Sequence, residues 1–349
     1  MESIKTEPLK GGTFNHQIIK ITRKIQNKTE VIVKKESNFS NKDLIKEISF
    51  ILGIPKSAEK HFPKILKYQI DKLPVFYEMP FYNFKTLSEL IFSGKDSEFC
   101  INSIKKIISF MFKNIFTENI GITEQNYLDK TVFSRVEKRY KELCNESDQI
   151  KKIITSKRII IEGKEYRNPL VILNEIKNNK SLMRKITPKK TQMIHGDFHF
   201  DNFLINESDN SDFILIDPRG EKRGYSYDYD LGKLWHSFHG KYAIIQRGLF
   251  DLEYEFKGDD LNVKVFSIRN MPALDILNEI YAKKDEFLKI INDYVSEEEL
   301  ELRILFNEAV HFCALAPFHL KKDGIEKEAI GRFLMGVKLL NELLISIPD

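Results

Sequence analysis

The chain has 349 residues, of which 42% are hydrophobic and 30% are charged, and this composition excludes an intrinsically disordered protein. The formal net charge is +4, and the basic residues are scattered rather than gathered into one block, which argues against a nucleic-acid-binding protein. Three cysteines, Cys100, Cys144 and Cys313, are far apart and lack Cys-x-x-Cys spacing, which disfavours a disulfide framework or a structural zinc site.

The sequence also argues against membrane insertion. No uninterrupted apolar run is long enough to cross a bilayer, and the first twelve residues carry charges and no apolar core. Together with the unpaired pattern of cysteines, these features predict a cytoplasmic protein.

The first eighty residues predict a small sheet with one helix. Short β-rich segments at 17–21, 31–34 and 75–79 predict strands. Apolar residues at helical spacing predict a helix over 41–52, which is followed by a glycine and a proline that end it.

The pattern changes after Pro80 to long amphipathic helices. Short strands interrupt these helices within 191–217, after which helical patterns resume and continue to Leu344. We therefore predict an α+β protein with an N-terminal lobe at 1–82, built on an antiparallel sheet, and a larger, mainly helical lobe at 83–349.

The strongest functional signal is a pair of segments, Met193–Ile205 (MIHGDFHFDNFLI) and Phe213–Asp217 (FILID). The β-rich ends of the two segments are separated by the turn-forming residues 207–212, which predicts a β-hairpin. Asn202 precedes the first strand of this hairpin, and Asp217 ends the second.

The register of the hairpin decides whether Asn202 and Asp217 meet. If Asn206 pairs with Phe213, the same register places Asn202 opposite Asp217, with their Cβ atoms about 5 Å apart. An amide oxygen and a carboxylate at that separation suit a hard cation that also holds phosphate oxygens, and Mg²⁺ is the natural candidate.

Asp197 lies five residues before Asn202, where its carboxylate could accept or orient the proton of an acceptor hydroxyl. We therefore predict that Asp197 is a catalytic base. His195 and His199 are interpreted as structural residues, because a histidine beside a strand is more often a satisfied structural group than an acid or a ligand.

The order of these residues resembles the catalytic segment of the aminoglycoside phosphotransferase and choline kinase family. The resemblance rests on His195-Gly196-Asp197, on the histidine and the asparagine that follow, and on the strand that ends in Asp217. It implies a two-lobed protein kinase-like fold, with ATP or GTP and Mg²⁺ as cofactors. It further implies transfer of the γ-phosphoryl group to a hydroxyl.

A nucleotide site is predicted in the N-terminal lobe. The strand at 31–34 resembles the kinase strand whose lysine reaches the phosphates, so Lys34 would point inward and Lys35 outward. Glu47 lies on a mostly apolar helix stripe where an unpaired carboxylate is costly, which predicts a Lys34–Glu47 ion pair. The alternative is a Glu47 side chain at the edge of that stripe that reaches solvent.

Two further segments are candidates for nucleotide binding. Gly11 and Gly12 would let the backbone approach phosphate groups, although a plain turn has the same sequence. Glu78 and Met79 lie where kinases join their lobes and where backbone groups bond the purine. A buried strand that ends at a proline is the alternative there.

The residues after Asp217 favour a small acceptor. Only thirteen positions separate Asp217 from Asp230, too few for the activation loop of protein kinases. In the resembled family the second aspartate buttresses the catalytic loop, and an ordinary helix N-cap is compatible with it. Arg219 would contact an anionic substrate or phosphate, or pair with Glu221 or Asp228 on the surface.

The predicted function is an ATP-dependent small-molecule kinase. Its partners would be the nucleotide and a small hydroxyl acceptor, such as a sugar, an amino alcohol or an aminoglycoside. The alternative is a catalytically silent, kinase-like module that binds a nucleotide for regulation.

Overall fold

The structure is a computed structural model that describes residues 3–9, 16–25, 28–39, 42–145, 148–323 and 326–346. The strands of its N-terminal part are Ser3–Pro8 (β1), Gln17–Ile25 (β2), Lys28–Ser37 (β3), Lys67–Gln69 (β4) and Val75–Pro80 (β5). They form one antiparallel sheet in the order β1-β2-β3-β5-β4. The three strands expected from the sequence are all present, and each extends beyond its predicted range.

One helix, Lys42–Leu52 (α1), covers this sheet. Its apolar residues Leu44, Ile48 and Ile51 are spaced four and three apart, so they lie on one face of the helix. That face packs against Val75 and Tyr77 of β5 in a small core of its own. The predicted sheet lobe with one helix is therefore confirmed.

The rest of the chain is mainly helical, as predicted. The helices are Leu87–Phe92 (α2), Ser97–Asn114 (α3), Ser134–Cys144 (α4), Asp148–Ile154 (α5), Pro169–Asn178 (α6), Lys180–Ile186 (α7), Tyr227–Phe238 (α8), Tyr242–Gln246 (α9), Pro272–Ala282 (α10), Lys284–Asn292 (α11), Leu300–Asp323 (α12) and Glu326–Ser346 (α13). Helix α8 is buried over its whole length, so it lies at the centre of this lobe. None of the described helices combines the length and the apolarity needed to cross a membrane.

The helical lobe also contains short strands. They are Lys85–Thr86 (β6), Gly121–Ile122 (β7), Arg158–Ile161 (β8), Lys164–Arg167 (β9), Lys190–Thr191 (β10), Phe203–Asn206 (β11), Asp209–Leu215 (β12), Phe250–Lys257 (β13) and Asp260–Ile268 (β14). They form three sheets, ordered β10-β7, β12-β11-β6 and β13-β14-β8-β9.

The β13–β14 hairpin corrects the expectation that helical patterns run without interruption to Leu344. Along β13 the apolar residues Phe250, Leu252 and Tyr254 alternate with polar ones, which is the period of a strand. Gly258 closes the hairpin with φ +65°, a conformation that favours glycine. The period-two pattern was therefore present in the sequence and outweighs the helical one.

Helices α8 and α12 approach each other closely at Gly232. A Cβ atom at this position would lie 2.5 Å from Asn307 Cβ and 2.9 Å from Glu308 N, both on α12. Real Cβ atoms do not come so near to other heavy atoms, so the absence of a side chain allows the two helices to pack.

We predict that Gly232→Ala lowers the free energy of unfolding by about 1–3 kcal/mol, because α12 would have to move away from α8. Chemical denaturation would measure the change. Gly121→Ala is the matched control, since its Cβ would meet only Thr191 Oγ1 at 3.5 Å. Equal stability of the two variants would contradict the packing argument.

Candidate active site

The residues of the strongest sequence signal form a loop at 195–202, here named the Asp197 loop, which leads into β11. Gly196 has φ +80°, and a Cβ there would lie 3.0 Å from Arg219 Cβ, so this position requires glycine. His195 is fully buried, and burial lowers its pKa to about 4, which keeps the ring neutral. Its Nδ1 accepts a hydrogen bond from Asp197 N at 3.2 Å, in line with the structural role expected for it.

Asp230 on α8 holds this loop through its backbone. One carboxylate oxygen accepts from His195 N at 2.7 Å, and the other accepts from Gly196 N at 2.8 Å. Burial raises the pKa of Asp230 to about 7, although the two N–H donors favour the ionised form. Through these two hydrogen bonds Asp230 supports the Asp197 loop, as the resemblance implies.

The Asp197 carboxylate is surrounded by basic side chains. Lys233 of α8 donates to Asp197 Oδ1, Arg219 lies 3.5 Å from the same oxygen, and His199 Nε2 lies 3.7 Å from it. Burial alone would raise the pKa of Asp197, but Arg219, Lys233 and His199 together hold it well below its usual range. Asp197 is thus an ionised carboxylate at neutral pH.

Arg219 therefore forms its ion pair with Asp197 rather than with Asp228. Asp228 is buried and pairs instead with Arg303 at 2.8 Å. The side chain of Arg219 remains 43% exposed, so it borders the site from the solvent side.

The predicted register of the hairpin is wrong by one residue. Ile205, not Asn206, pairs with Phe213, and a bulge follows at Asn206. The strand β12 begins at Asp209, because the turn is shorter than the six polar residues suggested. As a result Asn202 lies opposite Ile216, whose N–H donates to Asn202 O at 3.0 Å, and not opposite Asp217.

Asn202 belongs to the same site by another contact. Its side chain is buried, and Nδ2 donates to the backbone oxygen of Asp197 at 2.7 Å. This bond closes the Asp197 loop on itself. It also fixes the amide plane, so that the carbonyl oxygen of Asn202 points away from that bond.

Asp217 has an unusual backbone. Its φ is +56°, a left-handed conformation that costs energy for a residue with a side chain and that concentrates at functional sites. The conformation turns the carboxylate towards the N-terminal sheet, where Oδ1 accepts from Lys35 Nζ at 2.9 Å.

Lys35, and not Lys34, is the lysine that pairs with Glu47. Lys35 Nζ lies 3.0 Å and 2.8 Å from the two carboxylate oxygens of Glu47, and Tyr77 OH donates to Glu47 at 2.8 Å. Burial favours the neutral amine, but Asp217 and Glu47 outweigh it and raise the pKa of Lys35 above its usual value. The predicted Lys34–Glu47 ion pair is wrong, whereas the buried and paired state of Glu47 agrees with expectation.

Strand alternation explains the error. Val33, Lys35 and Ser37 point to the buried face of β3, while Lys34 points to the other face and contacts Glu36. Two adjacent lysines follow the apolar residues 31–33, so the sequence does not reveal which of the two lysines points to the core. The contacts with α1 decide it.

The other predicted nucleotide-binding residues lie on β5 or outside the residues that the structure describes. Glu78 is buried, and its backbone oxygen accepts from Leu66 N at 2.8 Å, so the sheet already uses that group. Met79 lies opposite Val33 of β3. Gly11 and Gly12 fall outside the described residues. The role of these four residues in nucleotide binding stays a prediction.

The site contains donors of the kind that a hard cation takes. Asn202 supplies an amide oxygen and Asp217 a carboxylate, of which Lys35 engages one oxygen. Among the residues that the structure describes, no group of three histidine, cysteine or acidic residues is placed to hold a metal by itself. An amide oxygen and a carboxylate are donor types that fit Mg²⁺, which keeps waters and phosphate oxygens among its ligands.

The fold has counterparts among solved structures. A thermostable mutant of aminoglycoside phosphotransferase APH(4)-Ia matches at a TM-score of 0.56 and 10% identity, over 97% of this chain and 95% of that one. A further variant of that mutant, in a ternary complex with AMP-PNP and hygromycin B, matches at 0.53 and 8% identity, over 97% and 94% of the two chains. A choline kinase from Cryptosporidium parvum, at 0.49 and 12% identity over 98% and 90%, is too distant to carry an argument. No protein-family model and no curated protein matches the sequence.

The chain has the aminoglycoside phosphotransferase fold. Its antiparallel-sheet lobe and its mainly helical lobe follow the expected two-lobed, protein kinase-like plan. At this low identity the comparison fixes the fold alone, so the roles of individual residues depend on their geometry here.

Sequence reasoning missed two lysines of the site. The sequence predicts Lys35 on the outer face of β3, one position from the lysine that it predicts for the phosphates. The second is Lys233, which follows Asp230 by three residues, the spacing of side chains on one helix face. That spacing was the available signal.

Proposed function

We propose that the chain is a small-molecule kinase that transfers the γ-phosphoryl group of ATP to a hydroxyl of a small metabolite. The observation that carries this proposal is the network Glu47–Lys35–Asp217, in which one buried ammonium bonds a carboxylate of each lobe. Asp217 follows Ile216, whose N–H donates to Asn202 O of the Asp197 loop at 3.0 Å, so the proposed phosphate site and the ionised carboxylate lie on neighbouring segments. The AMP-PNP bound by a structure of the same fold supports a nucleotide as the donor.

The proposed roles follow from charge and position. Lys35 binds phosphate oxygens in place of the predicted Lys34, and Glu47 orients it. Asp197 accepts or orients the proton of the acceptor hydroxyl as the new P–O bond forms, and the γ-phosphoryl group leaves ADP. Asn202 and Asp217 are the residues that would hold Mg²⁺, which when bound neutralises charge on the phosphates.

The acceptor would enter beside Asp197, where Arg219 borders the site. A sugar, an amino alcohol or an aminoglycoside each offers the required hydroxyl. The hygromycin B bound by the similar structure supports an acceptor of that size. The short connection between Asp217 and Asp230 leaves no long segment for a protein substrate, which also favours a small molecule.

The decisive experiment is a screen of ATP and GTP consumption with Mg²⁺ against amino alcohols, aminoglycosides, monosaccharides and polyols. The Asp197→Asn variant is the blank. Turnover that requires an acceptor and is absent from the blank would support the proposal and name the acceptor class. Nucleotide binding without turnover on any acceptor would favour the silent regulatory module instead.

A further inference from the structure

We propose that Lys233 is a positioning residue for the reaction, because its buried ammonium fixes the direction of the Asp197 carboxylate. The proposal rests on the proposed function, in which Asp197 receives the acceptor proton. It adds a residue that neither the sequence pattern nor the comparisons assign.

The first observation is the burial of Lys233. Its side chain is 2% exposed and donates to Asp197 Oδ1. The other basic side chains near Asp197 are less fixed: Arg219 is 43% exposed at 3.5 Å, and His199 is 14% exposed at 3.7 Å. Of these three side chains, Lys233 is the one that is both fully buried and in direct hydrogen-bonding contact with Asp197.

The second observation is the arrangement of α8 beneath the Asp197 loop. Asp230, Lys233 and Ser237 are spaced three and four apart, so they share one face of the helix. Asp230 accepts from the two N–H groups before Asp197, and Ser237 Oγ accepts from Phe200 N at 3.4 Å. One face of a buried helix therefore holds the loop before, at and after Asp197.

A purely structural reason for this lysine is weak. An ammonium buried at a helix centre loses its hydration, and replacing buried ion pairs by apolar residues is often neutral or stabilising. A long side chain also loses rotamer freedom when it is fixed. What Lys233 supplies, and an apolar residue does not, is a defined direction for one carboxylate oxygen of Asp197.

Direction matters for proton transfer. A carboxylate that accepts the hydroxyl proton must present a free lone pair to the acceptor. Lys233, from the side of α8, already donates a hydrogen bond to Oδ1. In this proposal Oδ2 is then the oxygen that accepts the hydroxyl proton. Without the ammonium, Oδ1 keeps the longer contacts with Arg219 and His199, at 3.5 Å and 3.7 Å, which fix the direction of the carboxylate less well.

The test replaces Lys233 in two ways. Lys233→Met removes the charge but keeps the unbranched chain, and we expect kcat to fall about 100-fold, as for a misplacement of about 1 Å. The nucleotide Kd should stay within about twofold, since no nucleotide-binding contact is lost. Lys233→Arg, which keeps a cation, should recover part of the lost kcat.

Lys241→Met is the matched control. Lys241 is also a buried lysine of this lobe, but its ammonium donates to the backbone oxygen of Phe238 and not to Asp197. We expect this variant to lose thermal stability and to keep kcat within about twofold. An equal loss of kcat in Lys241→Met and Lys233→Met would show a general packing effect and overturn the inference.

A double-mutant cycle separates positioning from an independent role. In the Asp197→Asn background, Lys233→Met should change the remaining turnover little, because two residues that act as a unit are not additive. Additive losses would overturn the inference. The double variant removes both the Lys233 ammonium and the Asp197 carboxylate, so neither charge is left buried without the other. We therefore expect it to fold even if Lys233→Met alone does not.

The outcomes also distinguish this inference from the proposed function. An active wild-type chain with an unaffected Lys233→Met variant would overturn the inference alone. A wild-type chain that phosphorylates no acceptor in the screen would contradict the proposed function and the inference with it.

Discussion

Asp197→Asn is expected to lower kcat by about 1,000-fold, within the range for the loss of a general base. The amide keeps the size of the side chain but cannot accept the hydroxyl proton. Asn202 and Asp217 remain, so the nucleotide Kd should change little. Steady-state kinetics with the acceptor found in the screen, together with nucleotide titration, would measure both quantities.

Asp201→Asn is the control for this prediction. Asp201 lies on the same loop, and its carboxylate lies 3.7 Å from His199 Nδ1 and 3.8 Å from Arg247. Asp197 instead faces the other ring nitrogen of His199, together with Lys233 and Arg219. We expect its kcat to stay near the wild-type value. If Asp197→Asn also turned over at the wild-type rate, Asp197 would not be the base.

Lys35→Met is expected to lower kcat/KM for ATP by at least about 100-fold, because it removes a preorganised cation from the phosphate site. It also leaves Glu47 buried without its partner, which should cost about 3–5 kcal/mol of stability. Kinetics must therefore be measured at a temperature where circular dichroism shows the variant to be folded.

The adjacent lysine provides a sharp comparison. Lys34 is 22% exposed and contacts Glu36 on the other face of β3, so Lys34→Met should cost at most about 1 kcal/mol and leave kcat/KM nearly unchanged. The two variants remove the same charge at positions one residue apart. A larger kinetic loss at Lys34 would instead support the prediction that Lys34 is the lysine that binds the phosphates.

Much of the fold could be predicted from the sequence, because hydrophobic periodicity reports which faces are buried. The helix at 41–52 and the strand at 75–79 carry unambiguous patterns, and both are present. The β13–β14 hairpin is an exception. Its apolar residues alternate with the period of a strand, but they lie within a region whose overall pattern predicts helices.

The structure joins Glu47 and Asp217 to one lysine and Asn202 to Asp197, but two of the predicted pairings are wrong. The choice between Lys34 and Lys35 depends on which alternate residues of β3 face the core, and the apolar residues before the two lysines fit either face. The register of β11 and β12 depends on the length of a turn rich in polar residues, and one bulge moves Asn202 by one position. Both errors are shifts by a single residue, which local patterns cannot resolve.

Contacts between distant parts of the chain were the least predictable. Lys233 meets Asp197 only because α8 passes beneath the loop, and the two residues are 36 positions apart. Gly232 likewise needs α12 to explain it. Such requirements arise from tertiary packing, so they become visible only when the elements are assembled.

The left-handed backbone of Asp217 restricts which amino acids this position can tolerate, independently of chemistry. Glycine, asparagine and aspartate adopt that conformation with the least strain, whereas β-branched residues resist it. Of these three, only aspartate carries a charge. Substitution by asparagine or glycine would thus preserve the turn and remove the carboxylate, so at this position the demands of folding and of phosphate chemistry can be separated by mutagenesis.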